Sequence, residues 1–576
     1  MRRPLALAGV AVAFAAADTY VVVLALPDMM LSVGLGVDEL QRAAPIVSGF
    51  LLGYVAMLPL IGRIADLRGR VPVLTASLLV FALGSLVTAL SGDLPTMVTG
   101  RFLQGVGGGG LVPATLALVA DLYPIERRAV PLGVVSGVQE LGSVLGPLYG
   151  ALVLAVADWR AIFWLNLAAG LLLAAALAAL RESGRPVRGT GRGLDPLALL
   201  LLGLSLTGLV LSLARPASLT TDVVLGWPFV PLLGHSAWLA PLSLVTLLLA
   251  GSFVLRCLRA AHPLVDLGGW ARTLTAADLP GAGLLALLLA AVILAFATAD
   301  PAVQVFSPAG GWLLVGAAAL AVVLGVHLRR ARRPLVPRGA LRRTPAWGSL
   351  LASFFVGAAL IAALVDVPVY ARLTSYPDSQ LGAALVLVRL LVALPVGAVA
   401  GGYLTRRLPP GAVCLGGMVA AAAGFAWMSR WGPHSLEHPA ATVPLVLAGL
   451  GFGLALAPVN SALLAGTARE VHGLASALVV VARMVGMLVG ISVLTTIGLH
   501  RYFVEQEALP PIADVCGPGG GVCRRYSDLV DLAALAQVHT IFVGAAICAL
   551  LAGGLAVALF RDLPAASEVP LARFGA

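Results

Sequence analysis

Apolar runs of about twenty residues recur along this chain, separated by short turns where arginine, glycine and proline gather. An element on the surface of a soluble domain alternates apolar and polar positions. These runs do not alternate, and each is long enough to cross a bilayer core of roughly 30 Å. They predict spans at about residues 5–27, 44–62, 71–91, 95–120, 129–156 and 161–180, then 195–214, 236–258, 280–299 and 311–328. Six more follow at about 347–370, 381–402, 411–430, 441–465, 472–499 and 535–560. The pattern is six, four and six, or about sixteen transmembrane helices in an all-α polytopic membrane protein.

Charge gives these spans a direction. The chain has no lysine, so its formal charge of +10 rests on arginine. The arginines cluster at span ends, which points to membrane topology rather than nucleic-acid binding. The loops at 256–272 and 329–343 are arginine-rich, whereas those at 215–235 and 300–310 hold only Arg215. Both middle hairpins are therefore expected to enter from the cytoplasm and return to it, and both chain ends should be cytoplasmic. The Met1-Arg2-Arg3 start is followed by no small-residue cleavage pattern, and Asp18 lies inside the first run, so that run reads as a retained helix. Pro263-Leu264-Val265, Gly268 and Arg272-Thr273 recur as Pro334-Leu335-Val336, Gly339 and Arg343-Thr344, as a duplicated hairpin would give.

With 60% of residues hydrophobic and only 11% charged, charges inside spans stand out. Each costs roughly 2.5–3.5 kcal/mol or more at mid-span, so each marks a functional candidate. They are Asp18, Arg101, Glu140, Asp366, Arg389 and Arg483; a purely structural ion pair is the alternative for any of them. Asp18 and Arg101 fall within one helical turn of the same depth, on oppositely directed spans. Glu140 and Arg483 each lie about eleven residues into outward-running spans. The five cysteines show no metal-ligand spacing; Cys516 and Cys523 sit close together in an outer, glycine-rich loop where a disulfide can form. The run Gly105 to Gly110 lies in a span and follows no strand, so it is not a phosphate loop. Nothing points to an enzyme, a metal or a cofactor.

The turn Gly62-Arg63-Ile64-Ala65-Asp66-Leu67-Arg68-Gly69-Arg70 resembles the signature loop of the major facilitator superfamily, Gly-x-Leu-Ala-Asp-Arg-x-Gly-Arg-Lys. Gly62, Asp66, Gly69 and Arg70 fit; Leu67 and Val71 replace basic residues. Asp18-Thr19 with Val21, Val22, Ala25, Leu26 and Pro27 resembles the first-helix motif of the fourteen-helix drug:proton antiporters, with Val23 in place of asparagine. Arg101-x-x-Gln104-Gly105 resembles their fourth-helix arginine motif. That resemblance implies proton coupling at Asp18 and Arg101. Gly142, Gly146, Pro147 and Gly150 resemble the antiporter motif, where glycines permit close packing and proline permits a kink.

Asp18 to Val23, Gln139 to Gly150 and His472 to Gly490 look like one mycobacterial branch, which exports triacylglyceride with a periplasmic lipid-binding lipoprotein and is linked to drug tolerance. The branch has two middle spans, not four. The resemblance implies a major facilitator fold of two six-helix bundles, and a charge lock between them made by Glu140 and Arg483. It implies no role for Asp366 or Arg389.

The expected division is 1–180 for the first bundle, 181–345 for the linker with two hairpins, 346–565 for the second bundle with outer loop 501–534, and 566–576 for a cytoplasmic tail. The function expected is proton-driven export of hydrophobic compounds, lipid first, from the bacterial inner membrane. A multidrug:proton antiporter for amphipathic cations is the alternative, and a non-transporting scaffold or receptor the alternative of another class. A monomer is expected.

Overall fold

In both halves of the molecule six long helices pair in the same order. The computed structural model describes residues 3–35, 40–124, 127–182, 195–222, 226–232, 237–260, 262–297, 309–377, 379–516, 523–561 and 563. The first half holds α1 (Arg3–Ser32), α2 (Leu40–Arg68), α3 (Arg70–Ala89), α4 (Leu94–Leu122), α5 (Ala129–Leu154) and α6 (Arg160–Glu182). The middle holds α7 (Pro196–Ala214), the short α8 (Ala217–Thr220), α9 (Pro241–Arg259), α10 (Leu267–Ala276), α11 (Leu279–Ala297) and α12 (Gly310–Arg330). The second half holds α13 (Thr344–Leu373), α14 (Gln380–Leu404), α15 (Pro410–Met428), α16 (Thr442–Gly466), α17 (His472–Glu507), α18 (Ile512–Cys516) and α19 (Arg524–Phe560). Among the described residues, 14 helices are long and apolar enough to cross a membrane. Two more long helices, α1 with 30 residues and α5 with 26, complete the first bundle.

In the first bundle α1 packs on α5, α2 on α4, and α3 on α4 and α6. In the second, α13 packs on α17, α14 on α16, and α15 on α16 and α19. The bundles meet where α2 faces α17 and where α5 faces α14. Polar caps set several helix starts. The Asp93 carboxylate accepts from Thr96 N–H at 2.9 Å before α4, and Ser379 Oγ accepts from Gly382 N–H at 3.0 Å before α14, each satisfying an otherwise unpaired donor. Gly69, between α2 and α3, has φ of 100°, a conformation that costs glycine little and other residues much.

The two linker hairpins are built alike. Asp195 caps α7 through Ala198 N–H and pairs with Arg256 near the end of α9 at 2.8 Å. Asp278 caps α11 through Gly281 N–H and meets His327 near the end of α12 at 2.8 Å. Asp278 also accepts from Leu335 N–H at 2.8 Å, inside the second copy of the Pro-Leu-Val repeat. The hydrogen bond from Arg256, then that from Ala198, holds the Asp195 carboxyl below its ordinary range. The second hairpin lays α11 against α2 and α17. Between the hairpins α10 docks on the end of α2, where Arg68 reaches Asp266 at 2.7 Å and lies over the Trp270 ring at 4.6 Å.

One expectation is corrected. The stretch 501–534 is not a long loop but largely helix. At about 1.5 Å per residue, α17 with 36 residues and α19 with 37 are each about 54 Å or more, far beyond a bilayer core. Hydropathy ends where the apolar run ends, but the helix does not. Arg501 and Glu505 form an i,i+4 ion pair at 2.5 Å that carries α17 onward in polar sequence.

Candidate functional site

Three polar centres lie in an otherwise apolar interior. The first is held by close helix packing: glycines let α4 approach α2 and α3. A Cβ on Gly105 would strike the Phe50 carbonyl of α2, and one on Gly107 would strike the α3 backbone at Phe81. The Gly105 to Gly110 run is thus a packing seam. It brings the Arg101 guanidinium of α4 to Asp18 of α1 at 2.9 Å, both 1% exposed. Arg101 also donates to Gln104 Oε1 at 2.9 Å and, more weakly, to the Ile46 carbonyl at 3.4 Å. Its guanidinium lies 4.4 Å from the Phe50 ring centre and 5.8 Å from that of Phe163. The second Asp18 oxygen accepts from Asn166 Nδ2 of α6. Gln104 Nε2 passes the network on to Ser85 Oγ at 2.9 Å. The carboxylate is therefore shared by three helices and enclosed by aromatic faces, the setting in which a buried charge needs complete pairing.

The second centre ties the bundles. Glu140 of α5 and Arg483 of α17 lie 3.2 Å apart, 9% and 7% exposed. Asn460 Nδ2 of α16 donates to Ser136 Oγ, one turn before Glu140, at 3.2 Å. Beside them is a cavity of about 20 Å³ lined by Ser136, Gln139, Asn460 and Arg483 among others. That is room for about one water molecule beside the pair. The antiporter-motif glycines lie on the opposite face of α5. Gly142 and Gly146 rest on the Ala13 and Ala17 carbonyls of α1, and a Cβ on Gly150 would lie 2.6 Å from Val21 Cγ2. The side chain of Pro147 lies outside the described residues. The motif thus fixes α5 to the helix segment that carries Asp18.

The third centre is the Gly62–Arg70 turn, and the face of the molecule bearing it is here termed the turn face. A Cβ on Gly62 would lie 2.5 Å from the Gly473 carbonyl oxygen, and one on Gly473 would lie 2.5 Å from that of Gly62. The Asp66 carboxylate accepts from Gly473 N–H at 2.8 Å and Leu474 N–H at 3.0 Å, capping the first turn of α17 with a negative charge. Arg70 pairs with Asp66 at 2.5 Å and with Asp121 at 3.2 Å, and Arg469 reaches Asp121 at 3.5 Å. Close inter-bundle packing continues on this side, where Gly402 of α14 abuts the Ala129 carbonyl of α5.

Other expected residues stay apart. Asp366 is 5% exposed and pairs with no described residue, while Arg389 donates to Thr442 Oγ1 at 3.2 Å. Cys516 and Cys523 form a disulfide; residues 517–522 between them lie outside the described residues. Sequence reasoning missed Asn166, Asp121 and Asn460. Asn166 had a signal, a lone amide within the sixth apolar run; Asp121 and Asn460 stand out only once their partners are in place.

The model of the Major Facilitator Superfamily matches residues 8–328 and 264–491. A triacylglyceride transporter of Mycolicibacterium hassiacum is 35% identical over 90% of this chain and 84% of its own. A triacylglyceride transporter of Mycobacterium tuberculosis is 34% identical over 91% of this chain and 88% of its own. Among solved structures, the human organic anion transporter MFSD10 superposes with a TM-score of 0.51 at 17% identity, over 96% of this chain and 99% of its own. The proton:xylose symporter XylE gives 0.50 at 14% identity, over 95% and 94%. With the paired bundles, the signature turn and these relatives, the chain belongs to the major facilitator superfamily.

Proposed function

We propose that this protein exports triacylglyceride-like lipid across the bacterial inner membrane by alternating access, driven by a proton gradient. The observation that carries the reading is one continuous mechanical path. Asp18 sits between Arg101 and Asn166 on α1, the Gly142 and Gly146 face of α5 rests on that part of α1, and α5 carries Glu140 across to Arg483. A proton arriving at Asp18 neutralises the carboxylate and removes the attraction that holds Arg101. The change reaches the inter-bundle pair through α1 and α5, without any cofactor.

In this reading residues 1–180 and 346–565 are the moving halves and 181–345 the linker. The turn face is cytoplasmic, as are both ends of the chain, and the close packing there makes this the cytoplasm-closed state. Asp66 and Arg70 hold it shut. Lipid as the cargo is supported by what the relatives at 34–35% identity are named for. The long outer ends of α17 and α19, stapled by Cys516–Cys523, form a platform where a periplasmic lipid-binding lipoprotein could take over the cargo.

The test is reconstitution in liposomes with fluorescent triacylglyceride and, separately, a cationic dye, each with and without an imposed proton gradient. Gradient-dependent lipid movement is expected. Movement of the dye alone makes the protein a multidrug antiporter, and movement of neither makes it a scaffold or receptor.

A further inference from the structure

Among the described residues, Asp366 is the one intramembrane carboxylate that the path above does not use. It is 5% exposed and meets no cation or donor among the described residues. Glycine contacts fix its level in the second bundle. Ala358 lies against Gly490, so the same step outward along the parallel α13 and α17 sets Asp366 level with Gly498. Gly498 in turn rests on Gln537 and Ile541 of α19. Counting from Gly348 against Leu559 on the antiparallel α19 also reaches Ile541. At this level stands His539, whose Nε2 is buried without a partner and whose ring lies beside the Trp431 backbone. The Trp431 ring lies tilted against Tyr370 with centroids 5.0 Å apart, and Tyr370 lies one turn beyond Asp366 on the same face of α13.

The remaining charges near α13 are occupied, exposed or remote: Arg372 on α13 itself is exposed, and so is Arg430, which donates to the Ala426 carbonyl. Arg389 of α14 is on Thr442, Arg483 of α17 is on Glu140 more than two turns further in, and Arg501 is on Glu505 further out. His500 of α17 is exposed, α16 carries no ionisable side chain, and Arg524, Arg525, Asp528 and Asp531 lie at the outer start of α19. An ionised carboxylate with no partner in apolar surroundings is far costlier than the neutral acid.

We propose that Asp366 is a second proton-binding site, in the bundle opposite Asp18, with His539 as the neighbouring group that exchanges its proton. In the closed state shown, the proton is on Asp366 and the His539 ring is neutral. When the bundle rearranges, Asp366 gives the proton up, to His539 or to water. The site adds a proton carrier to the export reading above. Its test measures proton occupancy rather than export, so either can fail alone.

The experiment is infrared difference spectroscopy of the purified protein in nanodiscs across a pH titration. A protonated carboxyl gives a carbonyl stretch that shifts in heavy water. That band should be present near neutral pH, vanish in Asp366→Asn and persist in Asp18→Asn. Asp366→Glu should keep it at a shifted frequency, which separates loss of the group from loss of the fold. His539→Gln should move the pH at which the band disappears. A band unchanged in Asp366→Asn, or absent from the wild type near neutral pH, overturns the proposal.

Discussion

Arg483 of α17 and Glu140 of α5 face each other at 3.2 Å across the boundary between the two bundles, each almost wholly buried. Alone, either charge would be stranded in an apolar interior. Removing one partner of such a pair costs about 3–5 kcal/mol, more than the intact pair contributes. Glu140→Gln should therefore slow export strongly, and Glu140→Gln with Arg483→Gln should be less harmful than the product of the single changes. A double-mutant cycle on export rate, with a coupling of about 1 kcal/mol or more, is the expected outcome. Additive effects would mean that the two residues do not act as a lock.

The contact between Gly62 and Gly473 leaves no space for even one methyl group. Gly62→Ala should push α2 away from α17 and move the population out of the turn-face-closed state. Spin labels placed on the turn-face ends of α2 and α17 would report a longer mean distance. An unchanged distance distribution would show that the close approach is incidental.

Asp18 differs from a structural buried acid in having two partners of different kind, a cation and an amide. Asp18→Asn should leave a folded protein in which Arg101 has lost the attraction that holds it, as protonation would do permanently, and so abolish gradient-driven transport. Asn166→Ala, which leaves the ion pair intact, should only shift the pH at which transport is half-maximal. Transport by Asp18→Asn at the wild-type rate and with wild-type gradient dependence would remove Asp18 from the coupling path.

The Arg68–Asp266 latch lies outside the spans and has a definite pH dependence. The hydrogen bond from Arg68, then that from Gly269 N–H, holds the Asp266 carboxyl below its ordinary value of 3.8. A lowered folded value means the link is fully present above about pH 4 and is lost as pH falls through the lowered value. The carboxylate is largely solvated, so the link contributes less than about 1 kcal/mol. Hydrogen exchange in α10 should be flat from pH 5 to 8 after correction for intrinsic rates, and Asp266→Asn should raise it at neutral pH. No change in that variant would mean that Trp270 alone seats the helix.

Much of this was legible in the linear chain, for physical reasons that also mark where legibility ended. Apolar length sets the long helices, and depth along them places Asp18 beside Arg101 and Glu140 beside Arg483. Depth says nothing about direction around a helix axis. Asp366 and Arg389 sit at comparable depths toward the ends of neighbouring helices away from the turn face but do not pair, because Arg389 turns to Thr442. Asn166 breaks its apolar run as a lone amide, but a neutral side chain carries no sign of charge to say which partner it serves. The ends of α17 and α19 away from the turn face look like loop in the linear chain because charge marks the end of a span, not the end of a helix.

The matched acid–base staples of the linker have a consequence for how such a chain can change size. Asp195 with Arg256, and Asp278 with His327, each close a hairpin on itself, tying its first turn to its last. A unit that begins and ends on one side and satisfies its own end groups leaves the orientation of everything downstream unaltered. It can be inserted, doubled or lost as a block, always in steps of two helices, while the second bundle keeps its direction and its register against the first. The linker is therefore the part of the chain in which helix number is free to vary, and the paired bundles are the part in which it is not.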